Sequence, residues 1–218
     1  MIERVLPAGV EAAEHVGPPL AAPLHPSEEP GVADAVPARR AEYAAVRECA
    51  RAALRRLGLA AAAVPAGPDR APVWPEGVVG SMTHCDGYRA AAVARSDRWA
   101  GIGIDAEPHL PLPPEVATLV MSATERAALA HADPALCLDR VLFSAKESVY
   151  KVWYPVTRTW LGFEDVDIRL GDGTFVAHLG PSGLGTRVLH GRWAAGDGLV
   201  VTAVALAGVA RPPVPGAR

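Results

Sequence analysis

The sequence lacks any long apolar run. Half of its 218 residues are hydrophobic, but no uninterrupted apolar stretch approaches the ~20 residues that a transmembrane helix needs. The first residues also lack a basic patch followed by an apolar core, which a secretory signal would require. We therefore predict neither a membrane span nor a secretory signal.

Cysteine is scarce, with three residues (Cys49, Cys85 and Cys137) far apart in the chain. An odd number without a Cys-x-x-Cys pair disfavours both a disulfide framework and a zinc ribbon. Histidine and cysteine share no ligand spacing with the acidic residues, which disfavours a zinc enzyme. A reducing cytoplasm is the predicted location.

The chain also lacks a strong excess of charge of one sign. Its formal net charge is -3, which argues against a general nucleic-acid binder. The length suits one large domain or two small ones.

The first predicted helix, residues 39–57, carries arginines on one flank. Arg39 and Arg40 near its N-terminus oppose the helix macrodipole, so they do not serve helix stability. Arg40, Arg47 and Arg51 line the flank, and Arg39 lies above the apolar face in the first turn. These arginines form either a solvated basic edge or a phosphate site, because guanidinium groups suit phosphate oxygens.

Three strands are predicted next, over residues 78–82, 88–94 and 99–107. His84 falls in the bend predicted at residues 83–87. It is either a hydrogen-bonded structural histidine or a donor that faces an anionic ligand.

The third of these strands places Asp105 and Glu107 on one face, ~7 Å apart at their Cα atoms. Two carboxylates this close can converge on one hard cation. Gly101 and Gly103 are predicted to leave the same face open to a bulky group. The alternative is a strand end that enters solvent.

The second long helix is predicted over residues 134–153, with Asp133 as its cap. Glu147 lies among aromatic residues on one helix face, and a carboxylate taken out of water needs a lysine, a metal or both. The alternative is a plain intrahelical pair between Glu147 and Lys151.

Strands are predicted after this helix as well, so each half of the chain reads as a long helix followed by antiparallel strands. We predict an α+β fold with two similar halves, residues 1–106 and 107–218, and a site at their interface. Residues 211–218 are expected to form a frayed tail.

Three segments resemble the signature motifs of the 4′-phosphopantetheinyl transferases. They are residues 80–85 (Gly-Ser-Met-Thr-His-Cys), 101–108 (Gly-Ile-Gly-Ile-Asp-Ala-Glu-Pro) and 143–151 (Phe-Ser-Ala-Lys-Glu-Ser-Val-Tyr-Lys). The resemblance is to the class that activates siderophore, polyketide and nonribosomal peptide synthases. Residues 39–47 and 161–165 also resemble its enterobactin-synthase-activating branch, so the similarity covers roughly residues 36–206.

The resemblance implies a pseudo-dimer of two α+β halves that moves the phosphopantetheine arm of coenzyme A onto a serine of an apo acyl or peptidyl carrier protein. The other product is 3′,5′-ADP. By the match, Asp105, Glu107 and Glu147 are expected to hold Mg²⁺, or Mn²⁺, against the coenzyme A pyrophosphate. Glu147 is the expected general base, and Lys151 and Lys146 are expected to neutralise the pyrophosphate and the leaving group.

The match also implies how the rest of coenzyme A is held. Arg39, Arg47 and His84 are expected at the nucleotide phosphates, supported by a bend that contains Gly80, Ser81 and Thr83. The candidates for the pantetheine channel are Phe143, Tyr150 and Trp160. Family members often carry a lysine just before a Trp-Pro pair, and whether Arg70 replaces that lysine here is open. The expected partner is an acidic carrier protein, and the enzyme is expected to be a monomer.

Two other functions compete with this interpretation. The same carboxylates could serve a metal-dependent phosphohydrolase that cleaves the pyrophosphate of a coenzyme A-like substrate with water. A non-catalytic coenzyme A-binding module is disfavoured, because such a module would be expected to have lost Glu147 or Lys151.

Overall fold

The computed structural model describes residues 1–19 and 21–208 of the chain. Its α-helices are α1 (Pro37–Arg56), α2 (Pro114–Val120), α3 (Ala123–Leu129) and α4 (Leu138–Thr157). Its strands are β1 (Glu11–Val16), β2 (Val78–Cys85), β3 (Tyr88–Arg95), β4 (Trp99–Pro108), β5 (Val166–Gly171), β6 (Thr174–Leu179), β7 (Val188–Gly196) and β8 (Leu199–Ala207). The predicted α+β class is confirmed, and the tail expected at residues 211–218 lies outside the described residues.

The strands form two antiparallel sheets that stack between the two long helices. One sheet has the order β1-β3-β2 and the other the order β4-β8-β7-β6-β5. Helix α1 packs on the first sheet through Ala50, Ala53 and Leu54, and α4 packs on the second through Val149 and Trp153. Alternating residues of β3, β4 and β8 fill the core between the sheets. With three strands in one sheet and five in the other, the relation of the halves as a pseudo-dimer stays a prediction.

Strand β4 belongs to the second sheet, because it pairs with β8 along its length. The predicted boundary between residues 106 and 107 therefore falls inside a strand. The change of sheet occurs between β3 and β4 instead. Local periodicity identified the strand but could not show which partner it pairs with.

The other edge of β4 is held by side chains of β2. The Ile104 amide donates to the Ser81 hydroxyl at 3.1 Å, and the Ala106 amide donates to the Thr83 hydroxyl at 3.0 Å. Both hydroxyls are buried. Ser81 and Thr83 thus join the two sheets and satisfy buried amides that would otherwise be costly.

Helix α4 begins later and ends later than predicted. Asp133 caps a short 3₁₀ turn at Pro134–Leu136, and Cys137 then adopts a left-handed conformation before α4 starts at Leu138. The helix continues through Pro155 to Thr157. The prediction treated this proline as a stop, whereas the helix ends after Thr157, where the Arg158 amide donates to the Tyr154 carbonyl.

Two further expectations for the first half need correction. Strand β1, which pairs with β3, lies in the proline-containing N-terminal segment where no element was predicted. His84 lies in strand β2, since the connection to β3 takes only Asp86 and Gly87.

The face of β4 that carries Gly101 and Gly103 is covered by α4 and is not open. A Cβ atom added to Gly103 would lie far inside van der Waals contact of the Ser148 carbonyl oxygen, whereas one added to Gly101 would meet Val152 at 3.3 Å. Gly103 therefore permits the close approach of helix and strand. Among the described residues, no helix combines the length and apolarity required for a membrane crossing.

The contact at Gly103 predicts unequal effects of two similar substitutions. We expect Gly103→Ala to lower the free energy of unfolding by ~1–3 kcal/mol, because the added methyl group must push α4 away from β4. Gly101→Ala, two residues along the same face, is the matched control and should change stability less. Chemical denaturation followed by circular dichroism measures both, and equal losses would contradict the close-packing argument.

Candidate active site

A cleft of about 830 Å³ lies between the two halves of the chain. Helix α1 and strand β2 form one wall, and α4 contributes Tyr150, Lys151 and Tyr154 to the other. A loop at residues 66–72 completes the lining and contains Arg70. The predicted site residues that line this cleft are Arg39, Arg47, Gly80, Ser81, Thr83, His84, Tyr150 and Lys151.

The basic wall of the cleft contains a close pair formed by Arg39 and His84. Arg39 Nη1 lies 2.6 Å from His84 Nε2, and a guanidinium can only donate, so Nε2 accepts and this imidazole is neutral. Glu42 lies 3.6 Å from both groups. Burial first, and then the Arg39 charge, lower the pKa of His84 below its usual value.

Arg47 is a buried cation in the same wall. Its guanidinium lies over the Tyr43 ring, 3.1 Å from the ring centroid. Burial lowers its pKa to about 10, so it remains charged at neutral pH. Among the described residues, neither Arg47 Nε nor the Tyr43 hydroxyl has a hydrogen-bond partner, and no carboxylate pairs with Arg47.

Asp105 is the most densely bonded carboxylate at the site. Its Oδ1 accepts from the Thr83 hydroxyl at 3.3 Å and from Lys151 Nζ at 2.8 Å, and its Oδ2 accepts from the Ser144 hydroxyl at 2.8 Å. Lys151 also donates to the Ile104 carbonyl at 3.1 Å. The lysine thus pairs with Asp105, across to β4, and the intrahelical pair with Glu147 is not formed.

The charge of Asp105 affects the pKa of both Glu107 and Glu147. Burial, and then repulsion by Asp105, raise the pKa of Glu107 to about 7 and raise that of Glu147 above its usual value. Arg140 opposes this effect at Glu107, with Nη1 at 2.9 Å from Oε2. Asp105 therefore repels each of the other two carboxylates.

Lys146 lies elsewhere, which contradicts its expected role at the pyrophosphate. Its ammonium is buried on another side of α4 and donates to Glu125 Oε2 at 2.9 Å and to the carbonyl oxygens of Val120 and Phe163. These three acceptors use all three ammonium protons. Lys146 binds α3 to α4 and has no proton left for a substrate.

The three aromatic candidates for the pantetheine channel are not all brought together. Trp160 is 77% exposed and meets Tyr150 edge-on, with 5.4 Å between ring centroids. Phe143 packs against Phe163 instead. Tyr150 lines the cleft, whereas Phe143 and Trp160 are not part of its lining.

Sequence reasoning missed several residues that position the carboxylates. Ser144 and Thr202 have buried hydroxyls 3.0 Å apart beneath Asp105. Arg140 also donates to the carbonyl oxygens of Leu110 and Pro111. Ser144 lay inside a recognised motif, but no periodicity marked Arg140, whose contacts depend on how residues 107–111 cross the start of α4.

The donor chemistry of the site fits a hard divalent cation. Asp105, Glu107 and Glu147 supply carboxylate oxygens, which Mg²⁺ and Mn²⁺ accept, and a cation would relieve the repulsion of Asp105 with each glutamate. In the present conformation, no group of three acidic, histidine or cysteine residues in the described part of the chain is gathered tightly enough to hold a metal. Lys151 and Arg140 provide the positive charge at Asp105 and Glu107.

Comparison with known families covers both halves of the chain. Residues 27–94 match the model of the 4′-phosphopantetheinyl transferase N-terminal domain. Residues 101–204 match that of the 4′-phosphopantetheinyl transferase superfamily. The chain belongs to this family. Its members are enzymes that use coenzyme A as a substrate and act on carrier protein domains, so the predicted enzyme class is confirmed. The two matched segments also meet between β3 and β4.

Full-length relatives agree with this assignment. The chain is 48% identical to the 4′-phosphopantetheinyl transferase Npt of Nocardia iowensis over 95% of this chain and 100% of that protein. It is 43% identical to PptT of Mycobacterium tuberculosis over 94% and 98% of the two chains. Enterobactin synthase component D of Salmonella typhi is 35% identical over 66% of this chain and 61% of that protein. These matches establish the family, and the enterobactin-like branch stays a prediction.

The geometry at His84 predicts a measurable titration. We expect its imidazole to titrate below ~6.5, the value in an unstructured chain, in an NMR titration in which His84→Gln assigns the signal. Because the folded chain binds this proton less readily than the unfolded chain does, His84 should reduce stability as the pH falls below ~6.5. Arg39→Gln should raise the pKa, and Arg40→Gln, whose side chain pairs with Glu29, should not. An unchanged pKa in the first variant would contradict the role of Arg39.

Proposed function

We propose that the protein transfers the 4′-phosphopantetheine arm of coenzyme A to a serine of an apo acyl or peptidyl carrier protein, in a reaction that depends on Mg²⁺. The observation that carries this proposal is that the buried cation Arg47 and the ammonium of Lys151 line one cleft, and that Lys151 contacts Asp105. The wall with Arg47 suits phosphates. Asp105, Glu107 and Glu147 are not part of the cleft lining, and Lys151 is the lining residue that contacts one of them, Asp105.

The basic wall would bind the nucleotide phosphates of coenzyme A. Arg47 lacks a carboxylate partner within the described residues and keeps an unpaired buried Nε, a deficit that phosphate oxygens can meet. Arg39 and His84 add donors at the cleft surface. Arg70 lines the cleft too and would contribute a further positive charge.

The carboxylates Asp105, Glu107 and Glu147 would hold the divalent ion, with Mg²⁺ the expected one and Mn²⁺ an alternative. When bound, the ion would neutralise charge on the pyrophosphate. Asp105 is fixed for this role by the Thr83 and Ser144 hydroxyls. Glu107 is oriented by Arg140 through one oxygen, which leaves the other available.

Glu147 would take the proton of the carrier serine as its oxygen attacks the β-phosphorus of coenzyme A. Burial and the charge of Asp105 raise the pKa of Glu147 toward neutral pH. A general base is most effective when its pKa lies near the pH at which the enzyme works. The new bond joins the serine oxygen to phosphorus, and the bond that breaks releases 3′,5′-ADP. Lys151, one turn along α4, would stabilise the negative charge that the leaving diphosphate oxygen gains.

The pantetheine arm would follow the aromatic residues of α4. Tyr150 lines the cleft and contacts Trp160, so these two side chains are the stronger candidates, and Phe143 would lie further along. An acidic carrier protein, a monomeric enzyme and a cytoplasmic location complete the proposal. The enterobactin-like branch would make siderophore synthases one class of target, since the Salmonella typhi relative is an enterobactin synthase component.

The alternative is a metal-dependent phosphohydrolase that uses the same carboxylates and water as the nucleophile. The family matches favour the transferase. The two activities differ in one respect that can be measured, because only the transferase leaves the phosphopantetheine arm attached to a carrier.

The central experiment is the intact mass of an apo carrier protein incubated with this protein, coenzyme A and Mg²⁺. We expect a gain of ~340 Da, the mass of a phosphopantetheine arm moved by phosphoryl transfer, and expect EDTA to block it. Asp105→Ala and Glu147→Gln should each abolish the gain. Asp172→Asn, at an exposed turn between β5 and β6, is the control and should leave it unchanged.

Circular dichroism must show that both inactive variants remain folded. Hydrolysis of coenzyme A without any modified carrier, across several acyl and peptidyl carriers, would replace the transferase with the phosphohydrolase. Full activity of folded Asp105→Ala would overturn the assignment of the carboxylates.

The nucleotide end of the cleft has its own test. Arg39→Ala should weaken binding of 3′,5′-ADP by ~10-fold or more, because a hydrogen bond to a charged group contributes ~1.5–3 kcal/mol. Arg40→Ala removes the neighbouring charge, which pairs with Glu29 outside the cleft. Isothermal titration calorimetry should therefore give near-native binding for the control. Equal weakening in both variants would indicate general electrostatics in place of a phosphate contact.

A further inference from the structure

We propose that Lys151 is an exchangeable internal counter-ion, which holds the place of the divalent cation at Asp105 and is released toward the cleft when the metal binds. This inference rests on the proposed function, because it takes Asp105 as a metal ligand. In the free protein, Lys151 on Asp105 would weaken metal binding. Metal binding would in turn release the Lys151 ammonium from Asp105.

The carboxylate of Asp105 is already largely occupied by partners. A carboxylate has about four lone-pair positions, and three are engaged by Thr83, Ser144 and Lys151. Lys151 is the cation within ion-pair distance of Asp105 among the described residues. A divalent ion on the same carboxylate would lie against the ammonium, and two cations in contact repel strongly in a partly buried site.

The three partners of Asp105 differ in how readily they can be displaced. The Thr83 hydroxyl also accepts from the Ala106 amide, and Ser144 is fully buried beside Thr202. Displacing either hydroxyl would leave buried polar groups unsatisfied. Lys151 also donates to the carbonyl of the buried Ile104, but it differs in exposure, because its side chain is 27% exposed and lines the cleft. Its long side chain can turn into the cleft without leaving a hole in the core.

Arg140 provides a contrast at the neighbouring carboxylate. Its guanidinium is held by the Leu110 and Pro111 carbonyl oxygens as well as by Glu107. Arg140 is therefore fixed and orients Glu107, whereas the other contact of Lys151 is a single carbonyl at 3.1 Å. Of the two cations, Lys151 is the exchangeable one.

The consequence is a change of partner within one site. When the cation takes Asp105, the ammonium loses its carboxylate and needs another anion. The diphosphate of coenzyme A in the same cleft would supply that anion. Lys151 thus reaches its substrate because the metal has taken its place.

Removing the charge of Lys151 should increase the affinity for metal, whereas substitutions at a ligand site usually decrease it. We expect Lys151→Gln to bind Mn²⁺ about fivefold more tightly than the unaltered protein in the absence of coenzyme A, a ratio equal to about 1 kcal/mol. Lys151→Arg keeps the charge and should bind close to the unaltered level. Arg169→Gln, a 76% exposed arginine on β5, removes the same charge far from the carboxylates and should have no such effect. The readout is Mn²⁺ titration followed by electron paramagnetic resonance.

The unfolding temperature, measured with and without Mn²⁺, is a second readout that also detects a misfolded variant. Lys151→Gln leaves Asp105 without its cation, so this variant should unfold at a lower temperature than the unaltered protein when metal is absent. Because a ligand that binds the folded state stabilises it, Mn²⁺ should raise the unfolding temperature of the variant more than that of the unaltered protein.

Two outcomes separate the failures. If Asp105→Asn loses Mn²⁺ binding but Lys151→Gln binds no more tightly than the unaltered protein, the exchange is wrong while the metal assignment stands. If Asp105→Asn binds Mn²⁺ as well as the unaltered protein does, the metal is not at Asp105, and the exchange falls with that part of the proposed function.

Discussion

The outer edge of β4 is the constraint on which the site depends. One edge of this strand pairs with β8, and the other would be an open row of backbone groups facing the first sheet. Hydroxyls of Ser81 and Thr83 and the ammonium of Lys151 satisfy that row at Ile104 and Ala106. Because Asp105 lies between these two residues and accepts from the Thr83 hydroxyl, one of the contacts that join the halves also holds the central carboxylate.

The site gathers charges of both signs in a partly buried region. Arg39 and Arg47 lie on one wall, and the acidic residues lie where β4 meets α4. Such an arrangement costs free energy in the protein without ligand, because each buried charge loses hydration. It is partly relieved by internal pairs such as Lys151 with Asp105 and Arg140 with Glu107. A ligand with a diphosphate and a divalent ion carries both complementary charges at once.

The sequence predicted elements well and contacts poorly. Hydrophobic periodicity and turn residues located both long helices and every strand except β1, because these signals are local. The strand order, the sheet change before β4 and the role of Gly103 as a contact for α4 depend on partners distant in the chain. No local pattern encodes them.

The candidate site shows the same division. Recognised motifs proposed Asp105, Glu147 and Lys151, because their residue types and order are distinctive, and the structure brings Asp105 and Lys151 into contact. Lys146 was misassigned, since adjacent positions on a helix point about 100° apart and the motif alone did not show which faced the cleft. Arg140 was missed for the related reason that its partners are carbonyl oxygens of a crossing segment, which leave no signature in residue type.

Pro155 within α4 gives the helix an uneven stiffness along its length. A proline has no amide proton to donate to the carbonyl four residues earlier, and that carbonyl belongs to Lys151. The helix therefore lacks one backbone hydrogen bond at Lys151, although this part of α4 packs on strand β4. The missing hydrogen bond thus falls at the residue whose side chain is proposed to change partner.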